Sequence, residues 1–240
     1  MLTDLPKLAP AQPHWAGHRR DHRCENADRK RSETRARILG AALAACAGNL
    51  NHLPSVEDIV ERARLSRGTF YKYFNSMEEV LAALGQDLTQ LALLEGERFR
   101  GVFSEKWKST SVVLRMVLTR SLLDPAWASF VVRTRGWVRA DLLALVVRQD
   151  LAEGRASGEY KILDDEVALD ILRGLLESCI TALQKGVASP ETYIDGAVHM
   201  WLQALGVEPQ RCLEGVQMSR QFLSGYLSGE LAPFALEPKT

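Results

Sequence analysis

Apolar and polar positions alternate along most of this chain with a helical period, and nowhere with the period of two that marks strands. Ile38, Leu39, Ala42, Leu43 and Cys46 form one inward stripe within residues 29–47. The run Gly48-Asn49-Leu50-Asn51-His52-Leu53-Pro54 then breaks the helix. A second, short helix follows Ser55, with Ile59, Val60 and Ala63 facing inward, and Arg64-Leu65 turns the chain. A third follows Ser66, anchored by Phe70 and Phe74 at i and i+4. Residues 76–100 predict a long helix carrying Val80, Leu81, Leu84, Leu88, Leu91 and Leu94. Further helices are expected over 109–123, 125–135, 137–153, 164–185 and 190–205, with one more near 210–227. Residues 154–158, bounded by Gly154 and Gly158, read as a loop. The expected class is therefore all-α.

The two short helices carry their own start signals. Ser55 with Asp58 three residues on makes a capping-box-like pair, and Ser66 caps the helix after it. Two capped helices joined by a tight turn make a helix-turn-helix, whose second helix enters the major groove of DNA. With Phe70 and Phe74 turned inward, Arg67, Thr69, Tyr71, Lys72 and Tyr73 are left to face a partner. Lys72 suits a phosphate, Tyr71 and Tyr73 suit phosphates and sugars, Thr69 a base edge, and Arg67 a guanine.

Charge agrees with that polarity. The chain as a whole is neutral, but residues 19–77 hold twelve cations against seven anions, so the rest carries a net negative charge. Arg29, Lys30, Arg31, Arg35 and Arg37 crowd the start of the first helix, where cations oppose the helix dipole and a phosphate partner would offset the cost. Residues 1–28, with Pro6, Pro10, Pro13 and mixed charge, read as a flexible basic arm. His14, His18, His22 and nearby Cys24 would share a face if that arm were helical and could then hold a metal; a solvated arm with incidental histidines is the simpler reading, and no metal is expected. The other cysteines, Cys46, Cys179 and Cys212, form no C-x-x-C pair, which fits a reducing cytoplasm. No apolar run reaches membrane-spanning length, and the N-terminal segment lacks the apolar centre of a signal peptide. There is no P-loop, G-x-S-x-G, H-E-x-x-H or dinucleotide fingerprint, so neither an enzyme nor a cofactor is expected.

Three stretches in fixed order carry a definite likeness: Ile38-Leu39-Gly40-Ala41-Ala42-Leu43, Ser55-Val56-Glu57-Asp58-Ile59, and Leu65-Ser66-Arg67-Gly68-Thr69-Phe70-Tyr71-Lys72-Tyr73-Phe74. Together they resemble the DNA-binding domain of the TetR family of transcriptional regulators. The resemblance places the family's DNA contacts on Thr69, Tyr71, Lys72 and Tyr73, with Arg31, Ser55, Ser66 and Arg67 as further DNA-facing candidates. The chain departs from the family pattern at Arg64, where a turn glycine is usual, at Leu50, Asn51 and Pro54, and at Met77, where a phosphate-binding lysine is common. The pair of helices over 164–185 and 190–205 resembles the two that family dimers join into a four-helix bundle, which implies an interface at Leu172, Leu175, Leu176, Ile180, Val198, Trp201 and Leu202, with Leu169, Ile171 and Leu183 in the same apolar set. Trp107, Met116, Trp127, Phe130 and Trp137 fall in the segments that line family pockets, with Arg133 or Arg135 available to an anionic group. The expected organisation is an arm (1–28), a helix-turn-helix domain (29–78), a helical effector-binding and dimerisation domain (79–206) and a C-terminal extension (207–240). The implied function is a homodimeric repressor that binds a palindromic double-stranded operator and is released by a small, mostly apolar effector. A DNA-binding activator or an effector-independent regulator is the alternative, and an enzyme a more distant one.

Overall fold

The computed structural model describes residues 15–48, 53–100, 102–134 and 141–227. The described residues form ten helices and no strand: α1 (Trp15–Gly48), α2 (Val56–Ala63), α3 (Arg67–Phe70), α4 (Met77–Arg100), α5 (Lys106–Leu123), α6 (Pro125–Thr134), α7 (Asp141–Ala156), α8 (Asp165–Lys185), α9 (Pro190–Ala204) and α10 (Pro209–Leu227). The helices α1–α3 make a head, α4 leads out of it, and α5–α10 make the body.

Local chemistry sets most boundaries. The Asp164 carboxylate accepts from the Glu166 and Val167 amides, both at 2.9 Å, and starts α8. Gly186, at φ 92°, ends it. Asp124 accepts from the Trp127 amide at 3.0 Å, and Pro125 fills the first position of α6, where a missing N–H costs nothing. Pro190 and Pro209 play the same part in α9 and α10.

Two expectations are corrected here. Residues 15–28, read as a flexible arm, are the first turns of α1. They show no apolar periodicity, and they continue a helix already nucleated by its packed half, which costs less than starting one anew. Residue 14 and those before it lie outside the described residues. The side chains of His14, His18, His22 and Cys24 lie outside the described residues. Second, the glycine-bounded loop at 154–158 starts later, since α7 continues through Gly154 to Ala156.

The body is built around α5, which touches α4, α6, α7, α8, α9 and α10. It is therefore buried almost all round, with Trp107, Val112, Leu114 and Leu118 inside, and even Ser111, Arg115 and Ser121 buried. The serines return their hydroxyls to the helix backbone, at Trp107 O (2.6 Å) and Leu118 O (2.7 Å). Arg115 is held by two helices: its Nε donates to Ser219 Oγ of α10 at 2.9 Å, and its Nη2 to Asp195 Oδ1 of α9 at 2.5 Å and Val216 O of α10 at 3.3 Å. Burial, and secondarily repulsion from Arg220, push its pKa down to about 10, so it stays charged at neutral pH. Asp195 also pairs with Arg220, which reaches Glu191 at 3.2 Å. This charge network, buried at Arg115 and open to solvent at Arg220 and Glu191, pins α10 to α5 and α9.

The described part of the C-terminal extension, residues 207–227, is thus a structural member of the body. Its closest approach is at Gly215, where an added Cβ would lie 2.6 Å from Ser111 Oγ and 2.7 Å from Leu202 Cδ1. Gly215→Val is expected to cost about 1–3 kcal/mol by overpacking, read as a lower denaturation midpoint. Gly40→Ala, where the added methyl meets open space, is the control and is expected to leave the midpoint unchanged or raise it slightly.

Candidate nucleic-acid interface and ligand cavity

The capping box at α2 forms as its sequence requires. Ser55 Oγ accepts from the Asp58 amide at 3.2 Å, and Asp58 Oδ2 accepts from the Ser55 amide at 2.8 Å and its hydroxyl at 2.7 Å. These bonds, the amide first, hold the Asp58 carboxyl below its ordinary pKa. At the other end Arg64 is left-handed, φ 51° and ψ 51°, the one non-glycine residue with positive φ among those described. The Arg64 amide donates to Glu61 O (3.1 Å) and the Leu65 amide to Val60 O (2.9 Å), the paired bonds of a Schellman closure. Arg37 of α1 adds its guanidinium, donating to Ala63 O at 2.5 Å and Arg64 O at 3.5 Å. A cation at the C-terminus of α2 complements its dipole.

The recognition segment is shorter as an α-helix than its nine-residue pattern predicts. Ser66 Oγ accepts from the Thr69 amide at 3.1 Å, and α3 spans four residues. The chain then tightens: Lys72 N donates to Thr69 O and Tyr73 N to Phe70 O, before Phe74 N returns to Phe70 O at 3.1 Å. The i−3 bonds let both Phe70 and Phe74 reach the core, with ring centroids 6.2 Å apart.

What the segment presents outward is narrower than expected. Tyr71 is 52% exposed, its ring braced edge-on against Phe70 at 5.3 Å. Lys72 is exposed beside it. Gly68 is exposed too, and sequence patterning passed it over; an added Cβ there has only Ser66 Oγ nearby, at 3.9 Å. The other candidates have work within the chain. Tyr73 is half-buried against the core. Thr69 Oγ1 lies 2.9 Å from Ser66 Oγ, and Arg67 pairs with Glu57 of α2. Ser55 and Ser66 spend their hydroxyls on caps. Arg31 is exposed on α1. Arg35 pairs with Asp87 of α4 at 3.0 Å and lies 5.9 Å from the Phe74 ring centroid, so it clasps α1 to α4. Met77 is part-buried against the core.

A cavity of about 200 Å³ opens in the body between α5, α7, α8 and α9. Its wall is mostly apolar, including Val113, Leu114, Val117, Val147, Leu151, Leu172, Leu176 and Leu205. Polar groups from Lys106, Thr110, Asp150, Tyr160 and Arg173 interrupt it. None of the expected pocket residues lines it. Trp107, Trp127 and Phe130 are core, at 3%, 1% and 2% exposure, while Met116 and Arg133 are half-buried elsewhere. Trp137, and Arg135 with it, lie outside the described residues. The aromatics of α6 are instead packed inside: Arg120 of α5 lies 4.8 Å from the Trp127 ring centroid, and Phe130 approaches Gly85 of α4.

The expected interface residues are redistributed as well. Leu172, Leu176 and Trp201 line the cavity, Leu175 is half-buried, and Ile180, Val198 and Leu202 are interior. The apolar side chains left outward on these helices are Val167 and Ile171 of α8 and Met200 of α9, at 58%, 52% and 59% exposure. Gly174 and Gly196, on the same outer sides, face open space.

Residues 52–84 match the family model described as bacterial regulatory proteins, tetR family. That segment is similar to the DNA-binding part of this family, and it coincides with the helix-turn-helix described above. Solved structures share the fold of the chain. RolR without ligand is 23% identical, with a TM-score of 0.58 over 76% of this chain and 96% of that one. A TetR-family regulator from Syntrophomonas wolfei str. Goettingen is 16% identical, with a TM-score of 0.62 over 74% and 98%. A gamma-butyrolactone receptor is 13% identical, with a TM-score of 0.55 over 80% and 98%. No curated protein sequence matches significantly. These matches are to regulators rather than enzymes. No helix among the described residues is long and apolar enough to cross a membrane.

The left-handed Arg64 stores strain that glycine would not. Arg64→Gly is expected to raise stability by up to about 1 kcal/mol, seen as a higher midpoint in chemical denaturation. A lower midpoint would mean that the Arg64 side chain contributes more than its backbone costs.

Proposed function

We propose that this protein is a homodimeric repressor of the TetR family that binds a two-fold-symmetric operator and lets go when a small molecule enters the body cavity. The observation that carries the reading is the Tyr71–Lys72 pair. It stands exposed at the tip of the helix-turn-helix while Phe70 and Phe74 lock the same segment from behind. Lys72 neutralises a phosphate and releases counterions, and Tyr71 packs on sugar and donates its hydroxyl to the backbone. Gly68 lets the phosphate backbone come close. Phosphate contacts also fall to Arg31, at the exposed start of the head.

One head binds weakly, and a two-fold pair spaced by one turn of DNA, roughly 34–36 Å, doubles the contacts. The outward Val167, Ile171 and Met200, with Gly174 and Gly196 between them, supply an apolar surface that a partner's helices can approach closely. Two glycines in helix interiors, each costing about 1 kcal/mol against alanine and without a neighbour inside the chain, fit such a use. A small-molecule role for the cavity is supported by a structural relative, RolR, which was solved in complex with resorcinol; that structure is 23% identical, with a TM-score of 0.60 over 79% of this chain and 95% of that one.

Tyr71→Ala with Lys72→Ala is expected to weaken operator binding at least tenfold in a gel shift and to lower the salt slope by about 1 per head, with helicity and dimerisation intact. Unchanged affinity would remove this face from the interface. Ile171→Asp with Met200→Asp is expected to give a folded monomer in sedimentation, and a persisting dimer would place the interface elsewhere.

A further inference from the structure

We propose that the body cavity selects a neutral, hydroxyl-bearing molecule built on a single ring, and excludes carboxylates and ammonium ions of the same size. The inference deepens the effector reading above and rests on it.

Size comes first. An apolar cavity of about 150 Å³ accepts benzene, so one of about 200 Å³ holds a ring with one or two small substituents and no long chain.

Charge comes second. Both cations on the wall have carboxylate partners. Lys106 lies 3.4 Å from Asp150 and also bonds Glu153, and Arg173 lies 3.1 Å from Asp170. The attraction of those carboxylates outweighs the cost of burying the Lys106 ammonium, and its pKa is raised. An incoming anion would have to shed its water in a mostly apolar chamber and then compete for cations already neutralised. An incoming cation pays the same loss of water, and the one carboxylate on the wall, Asp150, is already bonded to Lys106.

Hydrogen bonding comes third. Tyr160 Oη and Thr110 Oγ1 lie 2.8 Å apart, and both residues line the cavity. Two hydroxyls hold two hydrogens, and their mutual bond uses one, which leaves a donor and several lone pairs for a ligand hydroxyl or carbonyl. The Tyr160 ring is built into place. It lies so close over Gly154 that an added Cβ would come within 2.2 Å of the ring. Its own amide donates to Gly154 O at 2.9 Å, and the next amide, Lys161 N, donates to Leu205 O at 2.9 Å. Burial raises the Tyr160 pKa well above its ordinary value, so the phenol stays neutral across the working range.

The test is calorimetric titration of the full-length protein with phenol, benzoate and benzylamine at neutral pH, beside operator gel shifts on the same samples. Phenol is expected to bind, and the two ions at least tenfold more weakly. Tyr160→Phe with Thr110→Val is expected to cut phenol affinity about tenfold while toluene binding holds. Asp150→Asn with Glu153→Gln strips Lys106 of its partners and is expected to admit benzoate. Benzoate binding as tightly as phenol to the unaltered protein would overturn the proposal. So would no phenol binding at millimolar concentration, or phenol affinity indifferent to Tyr160 and Thr110. Phenol that binds as expected yet leaves operator affinity unchanged supports the cavity chemistry, and instead defeats the effector role of the cavity.

Discussion

One apolar face of α1 serves two masters. Ile38, Leu39, Ala41, Ala42 and Cys46 are all buried, and the helix that carries them packs against α2 inside the head and against α6 of the body. α6 answers with Trp127, Ala128, Phe130 and Val131, every one buried. The tip of the Phe130 ring lies 3.8 Å from where a Cβ on Gly85 of α4 would stand, so the connecting helix meets the same seam. Each fully buried side chain of this size is worth about 1.5–3 kcal/mol, and head, connecting helix and body therefore share one continuous core. With Arg35 bonded to Asp87, the head does not hang from α4 by a loose hinge. Its orientation follows wherever α4 and α6 sit.

The parts of the head that were legible in sequence are those decided within about five residues. Ser55 with Asp58, Ser66 with Thr69, and the turn at Arg64 each depend on groups adjacent in the chain, so spacing alone reveals them. The guanidinium that finishes the job comes from Arg37, 26 residues before Ala63, and no local pattern announces it. The same distance problem hides the partners that part of the DNA-facing set has within the chain. Hydroxyls and cations at helix starts suit a phosphate, but Ser55, Ser66 and Arg67 find closer partners in the head itself. The start of α1 failed for another reason: a helix that extends beyond its packed half has no apolar stripe to show.

The body was less legible because periodicity says that a side chain is buried and not against what. Trp127 and Phe130 are large and helically spaced, which is as true of a pocket wall as of a seam between domains. The cavity is lined instead by leucines and valines of ordinary size, and empty volume arises from how α5, α7, α8 and α9 diverge, a property of no single segment. The central α5 offers no polar face to read, since its serines and Arg115 are buried with the rest. α8 misleads in the opposite way. Apolar on three sides, it turns Leu172 and Leu176 to the cavity, Ile180 to the core and Val167 and Ile171 outward, and a sequence stripe cannot divide those roles.

That division on α8 bears on how occupancy of the cavity would reach the heads. The N-terminal half of α5 lines the cavity through Lys106, Thr110, Val113 and Val117, while near its other end Arg120 lies 4.8 Å from the Trp127 ring centroid on α6. Arg120 thus ties α5 to α6, which packs against α1. The direction of the effect is fixed by where the space already exists. A ligand that fits the present cavity stabilises the present conformation, so it releases DNA only if the operator-bound form has a smaller or distorted cavity. To carry the population from almost wholly bound-like to almost wholly released, that difference in affinity has to reach about 10⁴-fold. Such a ratio requires a discrete repacking of the cavity walls, because packed interiors switch between arrangements rather than deform continuously.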